Sequence, residues 1–152
     1  MRGVYTASYR ISALAAAKTV IYLTAAANQV VEILSAALTN ESNPVNQQLV
    51  CCLQRVQALG TPAATAVTPA AHEAGDQAAA STVKADVTGG EPTYAANSEI
   101  GREGFSSLSG WFLDPLPEER VIVPGGGTIG LRLLSAPTSF NGVVRMTFRE
   151  IG

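Results

Sequence analysis

Along much of the chain, apolar and polar residues alternate with a period of two. In the C-terminal stretch Val144, Met146 and Phe148 interleave with Val143, Arg145, Thr147 and Arg149. Successive side chains of a strand point to opposite faces, so this pattern predicts a strand with one buried side. Just upstream, Ile129, Leu131 and Leu133 interleave with Thr128, Gly130, Arg132 and Leu134, predicting a second strand. Between them lies SAPTSFNG, rich in turn formers, and Asn141-Gly142 is the pair best suited to positive φ. Near the start, Tyr5, Ala7, Tyr9 and Ile11 line one side of a further strand, opposite Thr6, Ser8 and Arg10. Thr19, Ile21 and Leu23 alternate with Lys18, Val20 and Tyr22.

Two segments, residues 30–39 (VVEILSAALT) and 46–57 (NQQLVCCLQRVQ), are apolar on parts of both faces, as strands covered on both sides would be. Alanine complicates the region from residue 12 to residue 38, where propensity alone would also allow a helix. Val20, Ile21, Tyr22, Thr24, Val30, Val31 and Ile33 favour a pleated surface instead, and Asn28-Gln29 falls where two strands would turn. Strands are the preferred reading there. STVKADV predicts another strand before Gly89-Gly90.

Residues 58–81 read differently. ALGTPAATAVTPAAHEAGDQAAAS contains few large apolar groups and two prolines, Pro62 and Pro69. It is expected to form a long Ala/Thr/Pro-rich surface excursion, with at most one helical turn near His72 to Gln77. The whole pattern predicts about eight to ten strands with turn signals every 8–12 residues, an all-β antiparallel sandwich or barrel. The 152 residues fit one domain, 1–152, with no internal repeat.

Composition narrows the function. Only 14% of residues are charged against 47% apolar. A usual charged share is about 25%, so part of this surface is expected to be covered by sister copies or a larger assembly. The net charge is −2 and no basic stripe appears, which argues against a nucleic-acid partner. The span from Thr19 to Leu38 is interrupted by Thr24, Asn28, Gln29 and Glu32, and no apolar leader opens the chain, so neither membrane nor secretory signal is expected. Cys51 and Cys52 are neighbours on a strand and poorly placed to bridge each other. With His72 far away and no Cys-x-x-Cys, no metal site is expected.

Three motifs carry possible chemistry. In PGGGTIG, Gly125, Gly127 and Gly130 satisfy G-x-G-x-x-G, the spacing of a dinucleotide loop, and Glu150 lies near the distance of a ribose-binding acid. Such a loop needs a helix after it, yet LRLLSAP is strand-periodic and stopped by Pro137, so a turn between strands is expected and no cofactor. Asp114, Glu118 and Glu119 gather in DPLPEER beside Arg120; carboxylate pairs can catalyse glycoside hydrolysis, but acids on one short proline-rich segment more often meet water or arginine. Trp111 and Phe112, with Phe105 nearby, suit either a sugar-stacking platform or, preferred for a sandwich, a buried aromatic anchor. Ser106, Ser107 and Ser109 lack a histidine partner for a triad. No enzyme is expected.

The order WFLDPLPEERVIVPGGGTIGLRLLSAP, followed by a last strand ending MTFREIG, resembles the jelly-roll cement (decoration) proteins of tailed-bacteriophage heads. The likeness extends weakly through VVEILSA and QQLVCCLQRVQ and is absent across residues 58–81. It implies a jelly-roll sandwich without catalytic residues, made in the host cytoplasm. The protein would assemble as a homotrimer on the outer capsid surface of the virion, bridging neighbouring major capsid proteins. Trp111, Asp114, Glu118, Glu119 and Arg120 form the expected contact set. The alternative is a carbohydrate-binding β-sandwich for host attachment, which would need exposed aromatic or acidic residues gathered in a groove.

Overall fold

A computed structural model describes residues 3–42 and 45–152. Twelve strands run through them: β1 (Val4–Leu14), β2 (Thr19–Thr24), β3 (Val30–Asn40), β4 (Gln48–Ala58), β5 (Ala63–Val67), β6 (Ala70–Ala71), β7 (Thr82–Gly89), β8 (Thr93–Ser106), β9 (Trp111–Leu113), β10 (Val121–Val123), β11 (Thr128–Leu133) and β12 (Phe140–Ile151). One 3₁₀ turn, Pro117–Glu119, is the only helical element among the described residues.

The strands form two antiparallel sheets packed as a sandwich. The first has the order β10-β3-β12-β1-β6, with β9 also beside β3, and the second β5-β7-β2-β11-β4-β8. With β5, β6 and β7 set aside, the chain crosses repeatedly between sheets, passing within one only from β4 to β8 and from β9 to β10, to give β1-β12-β3-β9/β10 over β2-β11-β4-β8. That order of interlocked Greek keys is compatible with a jelly roll.

Alternation decides which way each strand faces. Phe140, Val144, Met146 and Phe148 of β12 are completely buried, while Val143, Arg145, Thr147 and Arg149 point outward. Tyr5, Ala7 and Ile11 of β1 meet them from one side, and Ile33, Ala36 and Leu38 of β3 from the other. Ile21, Leu23, Leu53, Ile129 and Leu131 form the facing layer from the second sheet. The alanine run does not become helix: β1 continues to Leu14 through an irregularity at Ala13 (φ 53°), which keeps Ile11 and Leu14 in the core against Phe140.

Two local expectations are corrected. Asn141-Gly142 is not the turn but lies inside β12; the left-handed residue is Ser139 (φ 49°). Gly142 is needed for closeness, since a Cβ there would overlap the Thr39 carbonyl and the Phe140 ring. The excursion at 58–81 is also not all loop. β5 pairs with β7 in the second sheet and β6 pairs with β1 in the first, so the segment wraps one side of the sandwich and ties the sheets together. Its side chains stay largely exposed, as their small size demands, and backbone hydrogen bonds hold it instead. Near His72 the chain makes a turn, Asp76 N–H to Glu73 carbonyl at 3.2 Å, rather than a helix.

Candidate interaction surface

The triple-glycine bend connects β10 to β11. Gly127 N–H donates to the Pro124 carbonyl at 2.8 Å, and Gly126 (φ 74°) takes the left-handed third position that a type II turn requires. Gly126 N–H and Gly127 carbonyl also bond to Ala25, stitching the bend to the β2–β3 connection. Gly125 must be small because a Cβ would strike the Ala27 carbonyl, and Gly130 because one would strike the Tyr94 hydroxyl. All three glycines of the G-x-G-x-x-G pattern thus have packing or turn duties, and a strand follows them. Glu150 serves the fold too, accepting from Ser81 N–H at 2.7 Å and Ala80 N–H at 3.2 Å to dock the end of the 58–81 excursion.

The five residues expected to meet a partner divide in two. Trp111 is 2% exposed, and its indole N–H donates to the Gly101 carbonyl at 3.1 Å. It belongs to β9 of the first sheet and Gly101 to β8 of the second, so the indole closes the side of the sandwich opposite the excursion. Trp111 is therefore a structural anchor and not part of the surface, because burial of so large a ring leaves nothing for a partner to touch. Asp114, Glu118 and Glu119 are exposed, with no side-chain hydrogen bond or ion pair among the described residues. Arg120 turns away from them to Glu32 of β3 at 3.5 Å, and Arg149 of β12 pairs with the same carboxylate. Glu32 is 6% exposed, so these two guanidinium groups are what makes its burial tolerable.

Sequence reading missed the apolar part of this flank. Strand register places Ile122 opposite Glu32, and Val30 opposite Ile151, all on the outer face of the first sheet. Higher on that face Phe112 lies opposite Ala37, with Arg145 on the other side of Ala37. Val30, Phe112, Leu116, Ile122 and Ile151 are all exposed, Phe112 by 58% and Leu116 by 64%. Among the described residues, four of the seven exposed large hydrophobic residues, Val30, Phe112, Ile122 and Ile151, thus lie on the outer face of the first sheet. The available signal was the odd apolar residue in VIV and WFL, but alternation alone could not say that its side would lack a covering layer.

On the outer face of the second sheet one polar cluster is engaged in internal bonds. Thr19 N–H and hydroxyl both donate to Glu91, and the Thr19 and Tyr94 hydroxyls lie 2.7 Å apart. The Arg132 guanidinium sits 4.1 Å from the Tyr94 ring centre and bonds Gln54 at 2.6 Å. Burial, only partly offset by the Thr19 hydrogen bond, pushes the Tyr94 phenol up to about 12. Burial likewise raises both cysteine thiols, which are free and inaccessible, and Tyr5 and Tyr22.

These groups fold in their neutral forms, so stability is whole below the unfolded-state values near 9 for cysteine and 10 for tyrosine, and drains as pH climbs toward the folded ones. Tyr94 alone accounts for up to about 3 kcal/mol. The urea midpoint is expected to hold to pH 9 and fall steadily by pH 11; a midpoint unchanged at pH 11 would contradict this burial.

Among the described residues no three His, Cys, Asp or Glu side chains gather as a metal site, and no helix is long and apolar enough to cross a membrane. His72 instead contacts the Thr6 hydroxyl through Nε2 at 2.7 Å. Comparison with protein families, curated proteins and solved structures finds no match.

Proposed function

We propose that the protein is a capsid cement protein, a homotrimer on the outer face of a phage head that stabilises contacts between major capsid proteins. The observation that carries this reading is the set of uncovered apolar residues Val30, Ile122 and Ile151 on the outer face of the first sheet, with the exposed acids Asp114, Glu118 and Glu119 on the segment that leads into β10. Exposed apolar residues gathered on one sheet face among charged groups are a usual mark of a protein contact surface. The strand order and the resemblance of the C-terminal third supply the choice of partner.

Such a protein works by mass action. It binds the assembled lattice better than free subunits, so disassembly must first break its contacts. Three linked copies raise effective concentration, and individually weak contacts then hold firmly.

Purified protein mixed with undecorated, expanded heads should add density at symmetric positions, and Ile122→Asp should lower occupancy at least roughly tenfold by burying a charge in the contact. A monomeric mass in solution together with no added density would remove the proposal.

A further inference from the structure

The outer face of the first sheet also carries two shallow depressions that share Phe112 and Arg145. One, about 240 Å³, is lined by Ser35, Ala36, Phe112, Leu113, Asp114 and Arg145. The other, about 120 Å³, is lined by Ala37, Thr39, Phe112, Val143 and Arg145. Small residues on β3 form much of the floor, so the exposed ring stands clear of its surroundings.

Asp114 and Arg145 line the same groove yet make no ion pair with each other. Neither has a hydrogen bond to another side chain among the described residues. The other arginines described are engaged: Arg120 and Arg149 with Glu32, Arg10 with Glu41, Arg102 with Glu99, Arg55 with the Ile122 carbonyl and Arg132 with Gln54. An open acceptor, an open fork of donors and a bare aromatic face therefore converge on one hollow.

We propose that this groove binds a neutral pyranose ring of an oligosaccharide, stacked on Phe112, with its hydroxyl groups bridging Asp114 and Arg145. A carboxylate only accepts hydrogen bonds and a guanidinium only donates, while a sugar hydroxyl does both and so satisfies the two at once. The apolar C–H face of a pyranose matches an aromatic ring, which needs no charge on the ligand. A carboxylated or sulfated sugar would gain Arg145 but meet Asp114. Pockets that enclose drug-sized ligands run to roughly 300–1,000 Å³, so a 240 Å³ hollow suits one sugar ring at the tip or bend of a longer chain. The site shares Asp114 with the proposed capsid contact but does not require that reading, and a head decorated with the protein would carry many copies, turning weak binding into firm attachment.

The test is an amide NMR titration of the full chain with the methyl glycosides of glucose, galactose and mannose, alongside an array of oligosaccharides. At least one neutral sugar should give saturable shifts confined to Ser35–Ala37, Phe112–Asp114 and Arg145, with a dissociation constant on the order of millimolar. Phe112→Ala, Asp114→Asn and Arg145→Gln should each weaken it by at least roughly tenfold. All three positions are exposed, so unchanged thermal unfolding will show that the variants fold. The absence of saturable shifts and of array binding would overturn the proposal, as would binding restricted to anionic sugars and indifferent to Asp114→Asn. Capsid decoration by Phe112→Ala, measured separately, distinguishes loss of this site from failure of the cement reading.

Discussion

Phe148→Asp is expected to leave the chain without a folded state. Phe148 is fully buried in β12, between Tyr5 on β1 and Ile33 on β3, with its ring centre 5.6 Å from that of Tyr5. The substitution removes about 2–3 kcal/mol of aromatic burial. It also places a carboxylate among apolar side chains with no partner, which costs several kcal/mol more even if the group protonates. A domain has only about 5–15 kcal/mol in total, so these terms consume most or all of it. Circular dichroism should show loss of strand signal, or the protein should be recovered only as aggregate. A soluble variant with the wild-type spectrum and cooperative melting would show that Phe148 does not face the core. Phe148→Leu, which stays apolar, should fold with a lowered melting temperature and so separates chemistry from mere sensitivity of the site.

The second large effect is at Trp111. Trp111→Ala should cost about 3–5 kcal/mol, the range for emptying a large buried aromatic site. In a chain of this length that corresponds to a melting temperature lower by roughly 6–20 °C. Both consequences are structural: a cavity opens beneath β9, and the indole bond from β9 to Gly101 on β8 is lost. Trp111→Phe should retain much of the packing while losing the hydrogen bond, at about 1–2 kcal/mol. Because this is the sole tryptophan, fluorescence reports directly on it. Native emission should be blue-shifted and poorly quenched by acrylamide. Emission typical of a water-exposed indole would return Trp111 to the contact surface, and an unaltered melting temperature in Trp111→Ala would deny its role as an anchor.

The two sites illustrate different degrees of legibility. Phe148 was readable because its strand alternates cleanly and the side chains on its inner face are large. Trp111 was readable as an aromatic anchor but also entered the contact set, because a three-residue strand is too short for alternation to fix its facing. Phe112 beside it is the exposed one. The same limit hid the apolar group: Ile122 sits in a three-residue strand and Val30 and Ile151 at strand ends, where neighbours across the sheet decide whether a residue is covered. Arg120 was grouped with the acids next to it in sequence, yet it pairs with Glu32, 88 positions away. Asn141-Gly142 looked like a turn from local preference, and close packing against Thr39 and Phe140 put the glycine inside a strand instead.

By itself the sequence determined that the chain is made of strands, which face of β1, β11 and β12 is interior, and that the glycine-rich bend is a turn. Period-two alternation, β-branched residues and turn chemistry act over a few residues, so they are visible in one dimension. Tertiary structure alone decided the order of strands in the two sheets, the pairing of the 58–81 excursion with both, and the gathering of Phe112, Asp114 and Arg145 on one hollow. Those outcomes rest on hydrogen bonds and contacts between residues tens to more than a hundred positions apart. Local preference carries no record of such partners, because what fixes them is the packing of one sheet's apolar face on the other's.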